Sequence, residues 1–198
     1  ICRFCGRDLQ ETASAELDVP TGFNMTKAML IVVVGFFLAS IMALLSQIIC
    51  LFYIAGGLVA GITTVIAIAT IRPAVKIIST SLPIIAGWTI AWLLTITIGL
   101  FVSELFPSTF SDFIGDLFEV VMVSVIMGVF LEEHLPGGGF KIFGYWLLAH
   151  LATQLFYGIL SIFGADQSGS FIVIAMVNII GNMITGVLGC YLTLNEIK

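Results

Sequence analysis

Between Lys27 and Arg72 the chain runs from Ala28 to Ile71 without a charged residue, 44 positions in all. A helix crosses the hydrocarbon of a bilayer with about 20 apolar residues, and backbone amides inside lipid must bond within their own segment. One helix of this length would measure about 66 Å, roughly twice the bilayer core. The stretch therefore reads as a hairpin: a first span over 27–46, an uncharged turn near Gln47–Tyr53, and a second span over 54–71 ended by Arg72-Pro73. A connector over 73–81 leads to a third span, 82–105, with Trp88 and Trp92 on one face, broken by Phe106-Pro107-Ser108. Ser111-Asp112 has the form of a helix cap for a fourth span over 113–131. Glu132-Glu133-His134-Leu135-Pro136, followed by three glycines, is a loop. A fifth span over 141–163, a turn from Gly164 to Gly169 and a sixth span over 170–194 complete the pattern. The expected fold is an all-α membrane protein of six transmembrane helices, residues 27–198, behind a short polar tail, residues 1–26.

Charge placement orients this arrangement. Threading six helices with the N-terminus in the cytoplasm puts Arg3, Arg7, Lys27, Arg72, Lys76, Lys141 and Lys198 on one side, while the opposite loops hold Glu104, Asp112 and Asp166 and no basic residue. Basic residues of short loops stay cytoplasmic, so both termini are expected inside, in a bacterial cytoplasmic membrane. Reporter fusions at Arg72 and Lys141 should read as cytoplasmic and those at Asp112 and Asp166 as external. An external signal at Lys76 would refute the hairpin.

Composition narrows the class further. With 60% hydrophobic and 10% charged residues and a mean hydropathy of +1.17, no soluble domain fits beyond the tail. The net charge of −5 comes from loop acids, and seven dispersed Lys and Arg residues form no nucleic-acid patch. The first residues lack the pattern of a signal peptide, and further residues are expected upstream of Ile1.

Cys50 and Cys190 fall within apolar segments, where a free Cys acts as a small hydrophobe. Cys2-Arg3-Phe4-Cys5-Gly6-Arg7 has the form of a zinc knuckle, in which two thiolates and a glycine turn face one metal. It resembles the second half of a short bacterial zinc ribbon tethered to a membrane domain. The resemblance implies a structural zinc held by Cys2 and Cys5 and by two ligands from elsewhere. A redox pair and an inert pair are the rival readings. Metal analysis of an N-terminally complete chain should find one zinc per ribbon; finding none would remove the zinc reading.

Polar side chains at bilayer depth raise a question of function. Asp116 and Glu119 in the fourth span, His150 and Gln154 in the fifth, and Asn178 and Asn182 in the sixth are spaced three or four apart, so each pair shares a helix face. At 1.5 Å per residue, Glu119 lies roughly 9 Å below the outer boundary, Asn178 and Asn182 about 10 to 16 Å, and Gln154 and His150 about 12 and 18 Å. These residues are expected to form a polar layer, either as a proton or ligand site built on Glu119 and His150 or as hydrogen-bonding glue between helices. Gly57 and Gly61 on the second helix and Gly181, Gly186 and Gly189 on the sixth predict close helix packing, with grooves open to a neighbouring subunit or to a lipid or quinone tail. The tryptophans and Tyr145 read as interfacial anchors or lipid-facing residues.

There is no P-loop, no paired-histidine haem ladder, no Ser-His-Asp arrangement, no arginine-rich voltage sensor and no matched pair of broken helices. These absences, the glycine-grooved helices and a cytoplasmic knuckle suited to docking favour a non-catalytic accessory or scaffold subunit of a larger bacterial membrane complex, an electron-transport complex being one such setting. Its partners would be other membrane subunits or copies of itself. The alternative is a small transporter or channel that moves protons or solute through the Glu/His/Asn layer.

Overall fold

The computed structural model describes residues 21–46, 51–71, 77–105, 108–132, 138–163 and 171–197. Each segment is built on one helix: α1 (Thr21–Leu45), α2 (Leu51–Ile71), α3 (Ile77–Ser103), α4 (Ser108–Glu132), α5 (Gly139–Ile162) and α6 (Phe171–Ile197). Among the described residues, five of them hold stretches long and apolar enough to cross a membrane. In α4 the described apolar stretch is Val120–Val129, and the acids Asp112, Asp116 and Glu119 lie in the first half of the helix.

The helices overrun the apolar boundaries. α1 starts at Thr21, six residues before the predicted 27, and α3 starts at Ile77 and continues through Pro83. Proline inside a membrane helix is tolerated where neighbours or local adjustments re-satisfy the freed carbonyl. α4 starts at Ser108, so Ser111-Asp112 lies within the helix and does not cap it. Nothing obliges a helix to stop where the hydrocarbon does, and polar residues continue its backbone ladder in the interface.

Each helix packs against its successor in sequence, α6 closes back on α1, and α2 also reaches α6. The result is a closed ring of six helices. Neighbours run antiparallel: Gly57 meets Thr89 while Gly61 meets Ile85, so position rises along α2 as it falls along α3. Likewise Lys141 of α5 pairs with Glu196 at the far end of α6, and Trp146 with Gly189. Strict alternation puts the helix ends next to Lys27, Lys141 and Glu196 on one side of the bundle.

The outer surface is apolar: Leu30, Phe37, Leu58, Ile66, Leu93, Val129, Leu151 and Ile172 are all exposed. The interior holds small residues, hydroxyls and large rings, the distribution expected where lipid surrounds the molecule and packing drives helix association. The glycines serve that packing from within the chain. A Cβ on Gly57 would stand 2.9 Å from the Thr89 Cα, and one on Gly61 2.7 Å from the Ile85 Cα, both backbone atoms of α3. On α6, a Cβ at Gly181 would strike Tyr157, one at Gly186 the ring of Phe36, and one at Gly189 the indole of Trp146. All five predicted packing glycines are thus in use, and their grooves are filled.

The tryptophans depart from the expected anchor role. Trp88, Trp92 and Trp146 are 3%, 4% and 1% exposed. Trp88 stands edge-on to Phe36 at 5.4 Å and to Trp146 at 5.2 Å, so rings from α1, α3 and α5 meet in the middle of the bundle. Trp92 lies 5.1 Å from Tyr53 of α2. A ring of six helices encloses more space than aliphatic side chains fill, and the largest side chains have gone there. Tyr145 fits the interfacial expectation better: it is half-buried near one end of α5 and donates to Glu196 at 2.8 Å, while Lys141 donates to the same carboxylate at 2.7 Å.

Hydroxyls in the helices mostly bond backward. Ser40 donates to the Phe36 carbonyl, Thr64 to Ala60 and Thr95 to Ala91, each four residues earlier. This local bond gives the hydroxyl proton an acceptor within its own helix. Cys190 is buried, its sulfur 3.9 Å from the Thr64 hydroxyl, consistent with a small packed side chain.

Candidate functional site

The central aromatic rings leave a gap. A cavity of about 50 Å³ lies beside them, walled by Phe36 from α1, Trp88 and Trp92 from α3, Val120 from α4, His150, Thr153 and Tyr157 from α5, and Asn182, Thr185 and Gly186 from α6. With the exception of Tyr157, these residues lie near the midpoints of their helices; His150, for instance, is the twelfth of the 24 residues in α5. The cavity is therefore at mid-depth, with five of the six helices contributing to it. Such a volume admits roughly three water-sized spheres.

Its wall is chemically mixed. On the α5–α6 side, Thr153 lies 2.7 Å from the Thr185 hydroxyl, 3.2 Å from the Gly181 carbonyl and 3.3 Å from that of Ala149. This bridge ties the two helices across the polar wall, and it is the one place among the described hydroxyl bonds above where a threonine reaches another helix's backbone. Gly181 makes it possible by letting the helices approach. His150 is 6% exposed and its Nε2 lies 3.4 Å from the Gln154 amide nitrogen, one turn further along α5. The amide can donate to that nitrogen when the ring proton sits on Nδ1.

The α3 side supplies donors of another kind. The indole nitrogens of Trp88 and Trp92 are buried and have no hydrogen-bond partner among the described residues; the same holds for Trp146, Ser124 and Thr193. Buried indole N–H groups ordinarily find a partner, and each such exception calls for a physical reason. Trp88 and Trp92 border the cavity, but their indole nitrogens are themselves closed off from water-sized access.

The expected polar layer is gathered only in part. His150, Gln154 and Asn182 come together at or beside the cavity. Asn178 does not join them: it is exposed on α6, four residues from Asn182, which is about 40° beyond a full helical turn. Asp116 and Glu119 lie on α4, but their side chains are outside the described residues, as are Cys2 and Cys5 of the knuckle and Cys50. Among the described residues no group of three His, Cys, Asp or Glu side chains could hold a metal. Sequence reasoning passed over Thr153, Thr185, Tyr157 and Phe36. Only the pairing of Trp88 with Trp92 on one helix face gave a signal, and it was assigned to the wrong side of the helix.

The chain matches no protein-family model, no curated protein and no solved structure.

Proposed function

We propose that this protein is a small membrane transporter or channel whose mid-depth cavity receives a small polar solute. The observation that carries the reading is the cavity itself: polar side chains from α5 and α6 share its wall with the rings of Phe36, Trp88 and Trp92 inside a closed ring of helices. A polar, donor-rich wall at the level where solvation is most costly suits a molecule that must shed water there. The one-sided distribution of the basic residues supports both termini in the cytoplasm. All six helices then cross, α4 with its acidic first half toward the outside.

The scaffold reading drew on glycine grooves free to seat a partner, and those grooves are filled by α3 and by rings of this chain. It keeps the argument from absent catalytic motifs and from the Cys2–Cys5 knuckle as a docking element, which lies outside the described residues, and remains the second reading. Reconstitution separates the two. Liposomes containing the purified full chain should pass protons or a small solute at a protein-dependent rate. His150→Gln should lower that rate at least tenfold while the protein still folds, because the amide keeps a hydrogen bond but takes up no proton. No flux of any small solute, together with stoichiometric co-purification of redox subunits from native membranes, would favour the scaffold.

A further inference from the structure

We infer that the solute of the cavity is a small neutral amide, of the size of formamide or urea, paired edge to edge with the side-chain amide of Asn182. This rests on the cavity being a solute site. Asn182 is the twelfth of the 27 residues of α6 and so stands near mid-depth. It lines the cavity, is only partly buried, and its side chain makes no hydrogen bond among the described residues. Nor is it one of the residues whose polar atoms are shut off without a partner, which are Trp88, Trp92, Ser124, Trp146 and Thr193. An amide at this depth has no bulk water outside the bundle to bond, and leaving it unbonded is costly. The cavity is where that bond is made.

An Asn side chain carries a carbonyl and an NH₂ group side by side, so it accepts and donates along one edge. A second amide answers both through two parallel hydrogen bonds. A hydroxyl answers one at a time, and an anion, with no proton to give, leaves the carbonyl unbonded. Thr185 stands three residues further on the same face of α6 and lines the cavity too. When its hydroxyl donates to Thr153, 2.7 Å away, and Thr153 donates to the Gly181 carbonyl at 3.2 Å, Thr185 keeps a lone pair for a further N–H of the solute. Phe36, Trp88, Trp92 and Val120 supply apolar surface against which a flat molecule packs. At about 50 Å³ the space takes roughly three water-sized spheres, the bulk of roughly three or four non-hydrogen atoms. Charge is what burial at mid-depth penalises most, and an amide carries none.

Labelling of the asparagine side-chain amides with ¹⁵N, in the full chain held in nanodiscs and titrated with urea, reads the pairing directly. Asn178 is the internal control, since it lies on the exposed face of the same helix, and Asn182→Leu identifies the Asn182 signal. Urea should move the Asn182 resonance saturably and leave that of Asn178 nearly still. Acetone has the shape of urea and its carbonyl but no N–H, so it should bind roughly tenfold more weakly or worse, as an unanswered carbonyl implies. Asn182→Leu should lower urea uptake into proteoliposomes roughly tenfold or more. The wild-type titration decides even where that variant fails to fold. An Asn182 signal that stays fixed, or drifts linearly along with that of Asn178, leaves the cavity to water alone and overturns the inference. Equal affinity for acetone does the same. So does uptake of ammonium in place of urea, the result expected if a carboxylate of α4 joins the wall. Glycerol or proton flux with Asn182 indifferent to urea would sink the amide and spare the transport reading. Saturable urea binding without flux would do the reverse.

Discussion

Leucine at both Gly57 and Gly61 will leave little folded protein. The two glycines let α2 approach α3 until backbone faces backbone, with Thr89 and Ile85 Cα atoms within 3 Å of where a Cβ would stand. A flexible side chain could swing away, but a helix backbone cannot, so α2 and α3 must separate along their seam. Overpacking of this kind costs about 1–3 kcal/mol per site, against total stabilities of about 5–15 kcal/mol. The separation would also expose the Trp88–Trp92 face that α2 covers. Gly144 and Gly158 provide the comparison, since nothing within 4 Å would meet a Cβ at either. Leucine at those positions should leave the thermal midpoint in detergent within a few degrees of wild type. Were the double Gly57/Gly61 variant to fold normally and lose only its association with another subunit, the grooves would belong to a partner, and the scaffold reading would recover its support.

Much of the architecture was legible because apolar length is a blunt and reliable signal. No arrangement other than membrane-length helices accommodates 44 uncharged residues with an Arg-Pro at their end. Helix ends were less legible. Polarity marks where hydrocarbon stops, whereas the α1 and α3 ladders run on for several residues beyond that point. The glycines announced close packing correctly but not their partners, because the spacing of Gly57 and Gly61 is the same whether α3 or another chain lies against them.

The site was legible only where a residue was out of character. His150, Gln154 and Asn182 stood out as polar groups in apolar runs, and the structure brings them together. Asn178 stood out equally and is placed on the exposed face, a difference of one helical turn that no pattern of polarity encodes. Thr153 and Thr185 were silent, because hydroxyls in such helices commonly bond the preceding turn, as Ser40, Thr64 and Thr95 do here, and sequence does not show which also reach a neighbouring helix. The tryptophans were misread for a physical reason. Their preference for interfaces holds where a ring is free to reach one, but a six-helix ring has a centre to fill, and rings at 88, 92 and 146 fill it.

The central claim, that solute passes through this cavity, turns on one residue of α4. Val120 lines the cavity without a polar group, while its neighbour Val121 is exposed on the outside of the same helix. Val120→Phe puts a ring into existing space and removes no hydrogen bond, so it should shift the thermal midpoint by only a few degrees, about what 1 kcal/mol produces in a chain of this size. Val121→Phe adds the same bulk toward lipid. The measurement is protein-dependent flux in liposomes for wild type and the two variants, each first shown to be folded. Val121→Phe should conduct as wild type does, and Val120→Phe should fall to the rate of protein-free liposomes. A folded Val120→Phe protein conducting at the wild-type rate would contradict the cavity as the path.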